Sequence, residues 1–456
     1  MSKITKGFSF IDSFEDLFRH STDAPLPYAK VLGVQILGHA MGHDCVNRIQ
    51  PGEVFHNMYS LLIGVSTKTR KSTAQDLANV VYGLEYNNAS TTGSPERFIT
   101  DLSENPNLFW WMPEYSWLLK SIKGGGYAST YAEILNDLHR CPQKYSRKLQ
   151  KKKDDKYEFI VENAYLDVCS TITPEVMAEH LNIEIAFGGL LPRFLLVNGK
   201  PDPKPRKRLP RRAAELKRIC VDMVKAIRGM TKTTPFVLDD EALKRYNEIE
   251  VECYRRENID PFVGRYLNYT VAIADILLVS DALGAAVEQG ISPYKFSNLV
   301  DLLLLVSLVR LVKIDDRDCL VDILTNYTNI NNITNLSKDT KIEPIQLSGE
   351  EYITVPVRYV DAAYKIIKPC LDTVEDLIQD IGVNRNITKV KKIIKNRYPD
   401  SIPYNLALQC SGLLSRDFEA AYQTLIDSRL IKLNTPERES PMYKCSFIWV
   451  GNRENG

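Results

Sequence analysis

The sequence predicts an α/β protein: a mostly parallel sheet covered by helices, then a long helical region, then a small C-terminal unit of helices and a hairpin. Three observations carry that prediction. Short apolar strands alternate with helical segments between about residues 58 and 197. Residues 214–312 read as helical throughout. Residues 383–450 follow the order helix, helix, turn, helix, two strands.

At 456 residues the chain has room for two or three domains, and 44% hydrophobic with 25% charged residues is the balance of a soluble globular protein. A formal net charge of +1 excludes a globally basic polyanion binder, so any nucleic-acid face must come from local clusters. Nine cysteines without a CxxC pair read as core filler in a reducing compartment, and no secretory leader opens the chain. The most apolar run, Leu302–Val312, contains Ser307 and Arg310 and is too short to span a bilayer; it reads as a buried helix. A soluble, cytoplasmic protein without membrane association is expected.

Residues 1–55 are expected to form an N-terminal helical segment, with helical spacing from Tyr28 to Met41 and punctuation at Gly42 and Pro51. His39 and His43 lie four apart with Cys45 just beyond; no second ligand pair accompanies them, so packing or solvation is favoured over zinc. Residues 56–212 are expected as the sheet core, with strands at Met58–Gly64, Leu108–Met112, Ala164–Ser170 and Phe194–Val197. Helices are expected at Lys71–Tyr82 and Pro95–Ser103. The Pro-rich basic segment Lys200–Arg212 reads as a linker to a helical lid region, 213–382, that packs on the core. Within that region Asn326–Lys341 reads as an exposed loop and Arg358–Ile381 as a helix.

The strongest chemical signal is Gly64-Val65-Ser66-Thr67-Lys68-Thr69-Arg70-Lys71-Ser72-Thr73, which follows a buried strand and opens a helix. Backbone N–H groups and a helix N-terminus converge there on an anion. Gly64, Ser66, Thr67, Arg70, Lys71, Ser72 and Thr73 are therefore candidate nucleotide-binding positions, with Lys71 on the β- and γ-phosphates and the Ser72 hydroxyl on Mg²⁺. The loop departs from GxxxxGK[ST]: Gly64 lies seven residues before Lys71, and Arg70 takes the place of the second glycine. The competing interpretation is a Ser/Thr/Lys-rich turn on an ordinary helix. Leu108–Met112 ends at Pro113-Glu114, which makes Glu114 the candidate general base, with Pro113 where an aspartate is usual. The third strand ends at Ser170-Thr171, so Thr171 is placed to read the γ-phosphate; Thr173 before Pro174-Glu175 equally fits a helix cap.

Arg70-Lys71-Ser72-Thr73, the Pro113-Glu114 pair after LFWW, the ITPE segment, GGLLPRF (Gly188–Phe194) and Gly264-Arg265 together resemble a family. It is that of the P-loop ATPases of phages, plasmids and integrated elements that accompany primase-polymerase domains and are regarded as replicative-helicase-like. The likeness covers roughly residues 25–380. It implies a P-loop NTPase core of the AAA+/RecA-like group, binding ATP and Mg²⁺ and assembling as a homo-oligomeric ring, such as a hexamer, or a filament. It implies that Arg193 completes a neighbouring subunit's site as a catalytic arginine and that Arg265 is a second phosphate sensor. It also implies a separate primase or polymerase partner.

Local basic clusters supply candidate DNA contacts. Lys144–Lys153 holds six basic residues and no acid, and with the strand-like Lys156–Val161 it reads as a cationic hairpin; Arg147, Lys148, Lys151 and Lys152 are its candidate contacts. In the C-terminal unit, 383–456, helices are expected at Ile387–Tyr398, Ile402–Cys410 and Ser415–Ser428, and a wing from Leu430–Leu433 and Tyr443–Val450. This is the winged helix-turn-helix order. Lys391, Lys392 and Lys395 are candidate phosphate contacts and Arg416 a groove contact, although Asp417 and Glu419 make that front end acidic and such modules also dock proteins. The function expected is an ATP-hydrolysing DNA helicase or remodeller in replication of a mobile element. The alternatives are a nucleotide-switched regulatory protein with little hydrolysis, and a structural DNA-binding scaffold without nucleotide.

Overall fold

The computed structural model describes residues 9–49, 52–83, 94–124, 130–152, 155–181, 189–202, 206–232, 234–256, 259–304, 352–397, 400–427, 431–434 and 445–450. The chain divides into two compact units, one comprising 1–180 and 184–374, the other 181–183 and 375–456. The expected exposed loop at 326–341, the wing tip at 435–441, Gly188 and most of the run 302–312 lie outside the described residues.

The larger unit opens with α1 (Phe10–Ser21) and α2 (Leu26–Met41), then a hairpin of β1 (Val46–Ile49) and β2 (Gly52–Phe55). The chain continues through β3 (Tyr59–Ile63), α3 (Lys71–Tyr82), α4 (Pro95–Glu104), β4 (Asn107–Trp111), α5 (Ser116–Gly124) and α6 (Thr130–Leu138). A two-stranded ribbon of β5 (Lys144–Lys152) and β6 (Asp155–Glu162) follows, then β7 (Tyr165–Ile172), α7 (Pro174–His180) and β8 (Phe194–Asn198). After these come α8 (Pro210–Gly229), β9 (Phe236–Leu238), α9 (Asp240–Tyr254), α10 (Asp260–Glu288) and β10 (Ile353–Val355).

The central sheet is parallel, in the order β4-β7-β3-β8. Every residue of β3 and of β7 is buried, as expected of inner parallel strands covered on both faces. Helix α2 is tied to the sheet by Gln35. Its Nε2 donates to the carbonyls of Met58 (2.8 Å) and Val168 (3.0 Å), and its Oε1 accepts from the Ser60 hydroxyl (2.6 Å). One polar side chain thus satisfies backbone groups at the entry of β3 and in the middle of β7.

Two expectations are corrected here. The N-terminal segment is not purely helical, since β1 and β2 close it. The region 214–312 is interrupted by β9, which pairs in parallel with β10 and meets β1 in a second sheet of order β10-β9-β1-β2. Both errors have one cause: these strands are three or four residues long, and beyond the local β1–β2 hairpin their pairing runs to strands far away in sequence, so helical periodicity around them dominates the local signal. Helix α10, 29 residues, is the one described helix long and apolar enough to cross a membrane, and it is largely buried as a core helix. Its apolar run is interrupted in sequence by Arg265, Tyr266, Tyr269 and Asp275, and the two tyrosine hydroxyls and the Asp275 carboxylate are hydrogen-bonded inside the fold.

Asp275 illustrates this. Its carboxylate accepts from His56 Nε2 (2.8 Å) and from the Asn47 side-chain amide (2.9 Å), all three residues being inaccessible to solvent. His56 Nδ1 lies 2.9 Å from the Cys45 carbonyl, so both ring nitrogens face acceptors, which only a doubly protonated imidazolium satisfies. Burial works against that charge, yet the neighbouring Cys45 and Asp275 outweigh it and raise the His56 pKa to about 10. The His39/His43/Cys45 group does not converge on a metal position. His39 Nδ1 pairs with the buried Asp167 (2.7 Å) among the rings of Tyr82, Phe109 and Tyr165.

The smaller unit contains the end of a long helix, α11 (Val357–Lys395), so the two helices expected at 358–381 and 387–398 are one element. Then come β11 (Ile402–Pro403), α12 (Tyr404–Ser411), α13 (Ser415–Asp427), β12 (Ile431–Asn434) and β13 (Ser446–Trp449). The strands form an antiparallel sheet in the order β11-β13-β12. Gly412, in the left-handed region at φ 59°, ends α12 and makes the turn into α13. Val390, Ile394, Tyr404, Phe418, Tyr422 and Phe447 lead its core.

Candidate functional site

The carboxyl ends of β3, β7 and β4 face the same side, where the chain leaves β3 toward β4 and leaves β7 toward β8. A reversal of winding at adjacent strands opens a crevice at their carboxyl ends. The 64–73 loop begins there. Gly64 N–H donates to the Ile172 carbonyl at the end of β7 (3.2 Å). A Cβ on Gly64 would overlap the Tyr28 and Thr69 hydroxyls, so the position requires glycine for close approach. Tyr28, from α2, donates its hydroxyl to the Ile63 carbonyl (2.6 Å) and fixes the point where the loop departs.

The loop turns through two left-handed residues, Thr67 (φ 60°) and Arg70 (φ 50°). Arg70 thus adopts the conformation that a second glycine would supply, with a strain of about 1–2 kcal/mol for a residue carrying a Cβ. Helix α3 starts at Lys71 and has no side-chain cap, while Ala74 N–H already bonds the Arg70 carbonyl (2.9 Å). The amides of Lys71, Ser72 and Thr73 therefore remain as the open donors of a 12-residue helix, and Ser72 and Thr73 are exposed beside them. Ser66 and Thr67 are exposed as well. The half-buried Lys71 ammonium donates to the Gly64 carbonyl and closes the loop on itself. Burial lowers its pKa, and the carboxylates of Glu175 and Glu114 oppose that shift.

Glu114 is exposed at the end of β4. Strand β7 lies between β4 and β3, so the acid sits two strands from the loop, not on the adjacent one. The turn carrying it is laced to β7: Thr171 Oγ1 donates to the Pro113 carbonyl (2.7 Å), and Tyr115 N–H donates to the Thr171 carbonyl (2.8 Å). Thr171 is thus a brace that positions Glu114, its hydroxyl proton already engaged. Thr173 does cap α7, accepting from Val176 N–H (3.3 Å). Gln75 on α3 reaches the carbonyls of Met112 (3.3 Å) and Cys169 (3.1 Å) and joins the loop's helix to the end of β4, which leads to Glu114, and to β7.

Sequence reasoning missed Glu175, Gln75 and Tyr28. Glu175 was visible only as a residue in a helix start, and no local pattern says that α7 begins beside Lys71. Gln75 is one turn into α3, a spacing that could have flagged it.

Arg193 lies elsewhere. It ends a short 3₁₀ turn immediately before β8 and is therefore at the amino end of the parallel sheet, with the loop at the carboxyl end. Across a five-residue strand that is roughly 15 Å or more, so Arg193 does not serve the phosphate loop of its own chain. It is 7% exposed, donates to the Gly189 carbonyl, and its Nε has no partner among the described residues. Burial and the nearby Arg265 and Arg140 lower its pKa. His139 is held down to about 3 by burial and by Arg193, Arg265 and Arg140. Arg265, expected at the nucleotide, belongs to this second cationic cluster and lines a cavity of about 240 Å³ with Arg140 and Tyr269.

The basic ribbon is less one-sided than its sequence. Register sets Lys144 opposite Glu162, Lys148 opposite Glu158 and Lys152 opposite Asp155. Arg147 is half-buried, opposite Phe159; the side chains of Lys148, Lys151 and Lys152 lie outside the described residues. In the smaller unit Val390 and Ile394 turn into the core, which leaves Lys392 and Lys395 exposed and Lys391 partly so. Arg416 is exposed at the start of α13, 3.6 Å from Asp417. No family model and no curated protein matches this chain.

Proposed function

We propose that the chain is an ATP-dependent nucleic-acid motor or remodeller, helicase-like, with a P-loop NTPase core and a C-terminal winged helix. One observation carries the proposal: an uncapped helix N-terminus led by Lys71, reached through a left-handed Arg70, at the carboxyl end of a fully buried parallel strand. A triphosphate fits that arrangement, since three open amides and an ammonium converge where no side chain competes. Ser72, Glu114 and Glu175 are oxygen donors of the type Mg²⁺ takes. Bound Mg-ATP would supply the phosphoryl group and the charge balance. Lys71 would exchange the Gly64 carbonyl for phosphate oxygens, and Glu114, steadied by Thr171, would accept the proton of the attacking water. Arg193, at the far end of its own sheet, would act on a neighbouring copy, which requires a homo-oligomer; Arg265 would assist it. The helix–strand–helix–helix–strand–strand order of the smaller unit supports the winged helix, with Lys391, Lys392, Lys395 and Arg416 toward DNA.

The test is ATP turnover titrated with single-stranded and duplex DNA. Lys71→Ala and Glu114→Gln should abolish it, and Arg193→Ala should bind nucleotide yet hydrolyse poorly. Parental turnover by Arg193→Ala refutes the trans-acting arginine. A second reading, a nucleotide-switched regulator with little hydrolysis, is favoured by Pro113 preceding a single strand-end acid, Glu114. Mg-ATP affinity without turnover, with or without DNA, would select it.

A further inference from the structure

A nucleotide anchored by its phosphates leaves a flat heterocycle to be recognised, and recognition needs apolar walls and a few fixed polar groups. Strand β8 is the edge of the central sheet. Along a parallel strand, successive residues turn their N–H and C=O groups to alternate sides. Gly199 N–H donates to the Ile63 carbonyl (2.8 Å), so residues 195, 197 and 199 address β3. Phe194, Leu196 and Asn198 address the free edge.

The first rung of that edge is filled. Leu196 N–H donates to the Tyr266 hydroxyl (3.0 Å), which donates to the Phe194 carbonyl (2.9 Å). The next rung, the Leu196 carbonyl with the Asn198 N–H, has no hydrogen-bond partner among the described residues. Leu196 is fully buried, and an unpaired carbonyl there is costly unless something occupies it. Leu196 and Asn198 line a cavity of about 300 Å³ walled by Leu26, Val31, Ile366 and Cys370. That volume is at the lower end of the small-ligand range. The cavity adjoins the phosphate loop, because Asn198 is the register partner of Ile63, the residue before Gly64. Its rim carries Arg19, Lys30 and Lys365 against Glu15, which already engages Arg19 and Lys30, so the rim favours an anionic ligand.

We infer that the free edge of β8 reads the purine base of the nucleotide whose phosphates rest on the 64–73 loop. The Leu196 carbonyl accepts from the exocyclic amine of adenine, and the Asn198 N–H donates to the adjacent ring nitrogen. The inference rests on the phosphate-loop reading for the other half of the ligand.

The experiment is calorimetric binding to the full-length protein of three probes: ATP, inorganic tripolyphosphate and adenosine. Asn198→Pro deletes the N–H at a position where an edge strand accepts proline, Asn198→Ala keeps it, and Ile366→Trp fills the cavity. Asn198→Pro and Ile366→Trp should each weaken ATP about tenfold while tripolyphosphate stays unchanged; Asn198→Ala should bind ATP as the parent does. ATP binding no tighter than tripolyphosphate in the parent, or unmoved by Ile366→Trp, overturns the base edge and leaves the loop standing. Equal loss in Asn198→Ala and Asn198→Pro also overturns it. Adenosine bound by the parent and lost in both variants, with tripolyphosphate ignored, keeps the base edge and removes the loop. Binding of none of the three removes both.

Discussion

Replacing Asp275 by alanine tests the buried polar link between α10 and the strands that start the core. The carboxylate accepts two hydrogen bonds, 2.8 Å from His56 and 2.9 Å from Asn47, and no part of the three side chains reaches water. Its removal strands an imidazolium and an amide in the interior. Two stranded donors at about 1–3 kcal/mol each, one of them charged, agree with the about 3–5 kcal/mol typical of breaking a buried ion pair. Asp275→Ala should therefore lower the urea midpoint by a corresponding amount near pH 6. The difference has a defined pH dependence. The His56 pKa, about 10 in the fold against 6.5 for the ordinary side chain, is raised, so its stabilisation is complete below 6.5 and is lost as pH rises through 10. Burial raises Asp275 too, from an ordinary 3.8, which works in the same direction. The parental advantage should shrink between pH 6.5 and 10 by at most about 1.4 kcal/mol per unit. A double His56→Leu/Asp275→Leu protein should recover much of the loss, since an apolar pair strands nothing. A loss under about 1 kcal/mol for Asp275→Ala, or an advantage growing with pH, refutes the charged pair.

Three further outcomes follow from the packing and charges of the fold. Gly199→Ala drives a Cβ into the Tyr28 ring, and overpacking should cost about 1–3 kcal/mol by thermal denaturation. Glu175→Gln removes the larger of the two carboxylate effects opposing the lowered Lys71 pKa, so mass-resolved acylation of Lys71 at pH 8 should speed up; an unchanged rate would separate Glu175 from the site. Phe418→Ala empties the centre of the smaller unit's core and should cost it about 3–5 kcal/mol, read from the near-ultraviolet signal of its tyrosines.

What the sequence determined by itself was everything written in consecutive residues. The five buried positions of β3, the helix beginning at Lys71, the strand before Pro113-Glu114 and the Gly412 turn are fixed by apolar runs, helical spacing and one glycine, and these operate within a few residues. Tertiary structure decided what depends on distant partners. It ordered the strands β4-β7-β3-β8, which separates Glu114 from the loop by a strand and brings Glu175 to Lys71. It set Arg193 and Arg265 at the amino end, although Arg193 directly precedes a strand whose other end borders the loop. It also formed the short strands β1, β2, β9 and β10, too brief to declare themselves locally, and left the second rung of β8 open. Parallel pairing joins residues far apart in the chain, so strand order and the site it assembles are properties of packing that no local pattern encodes.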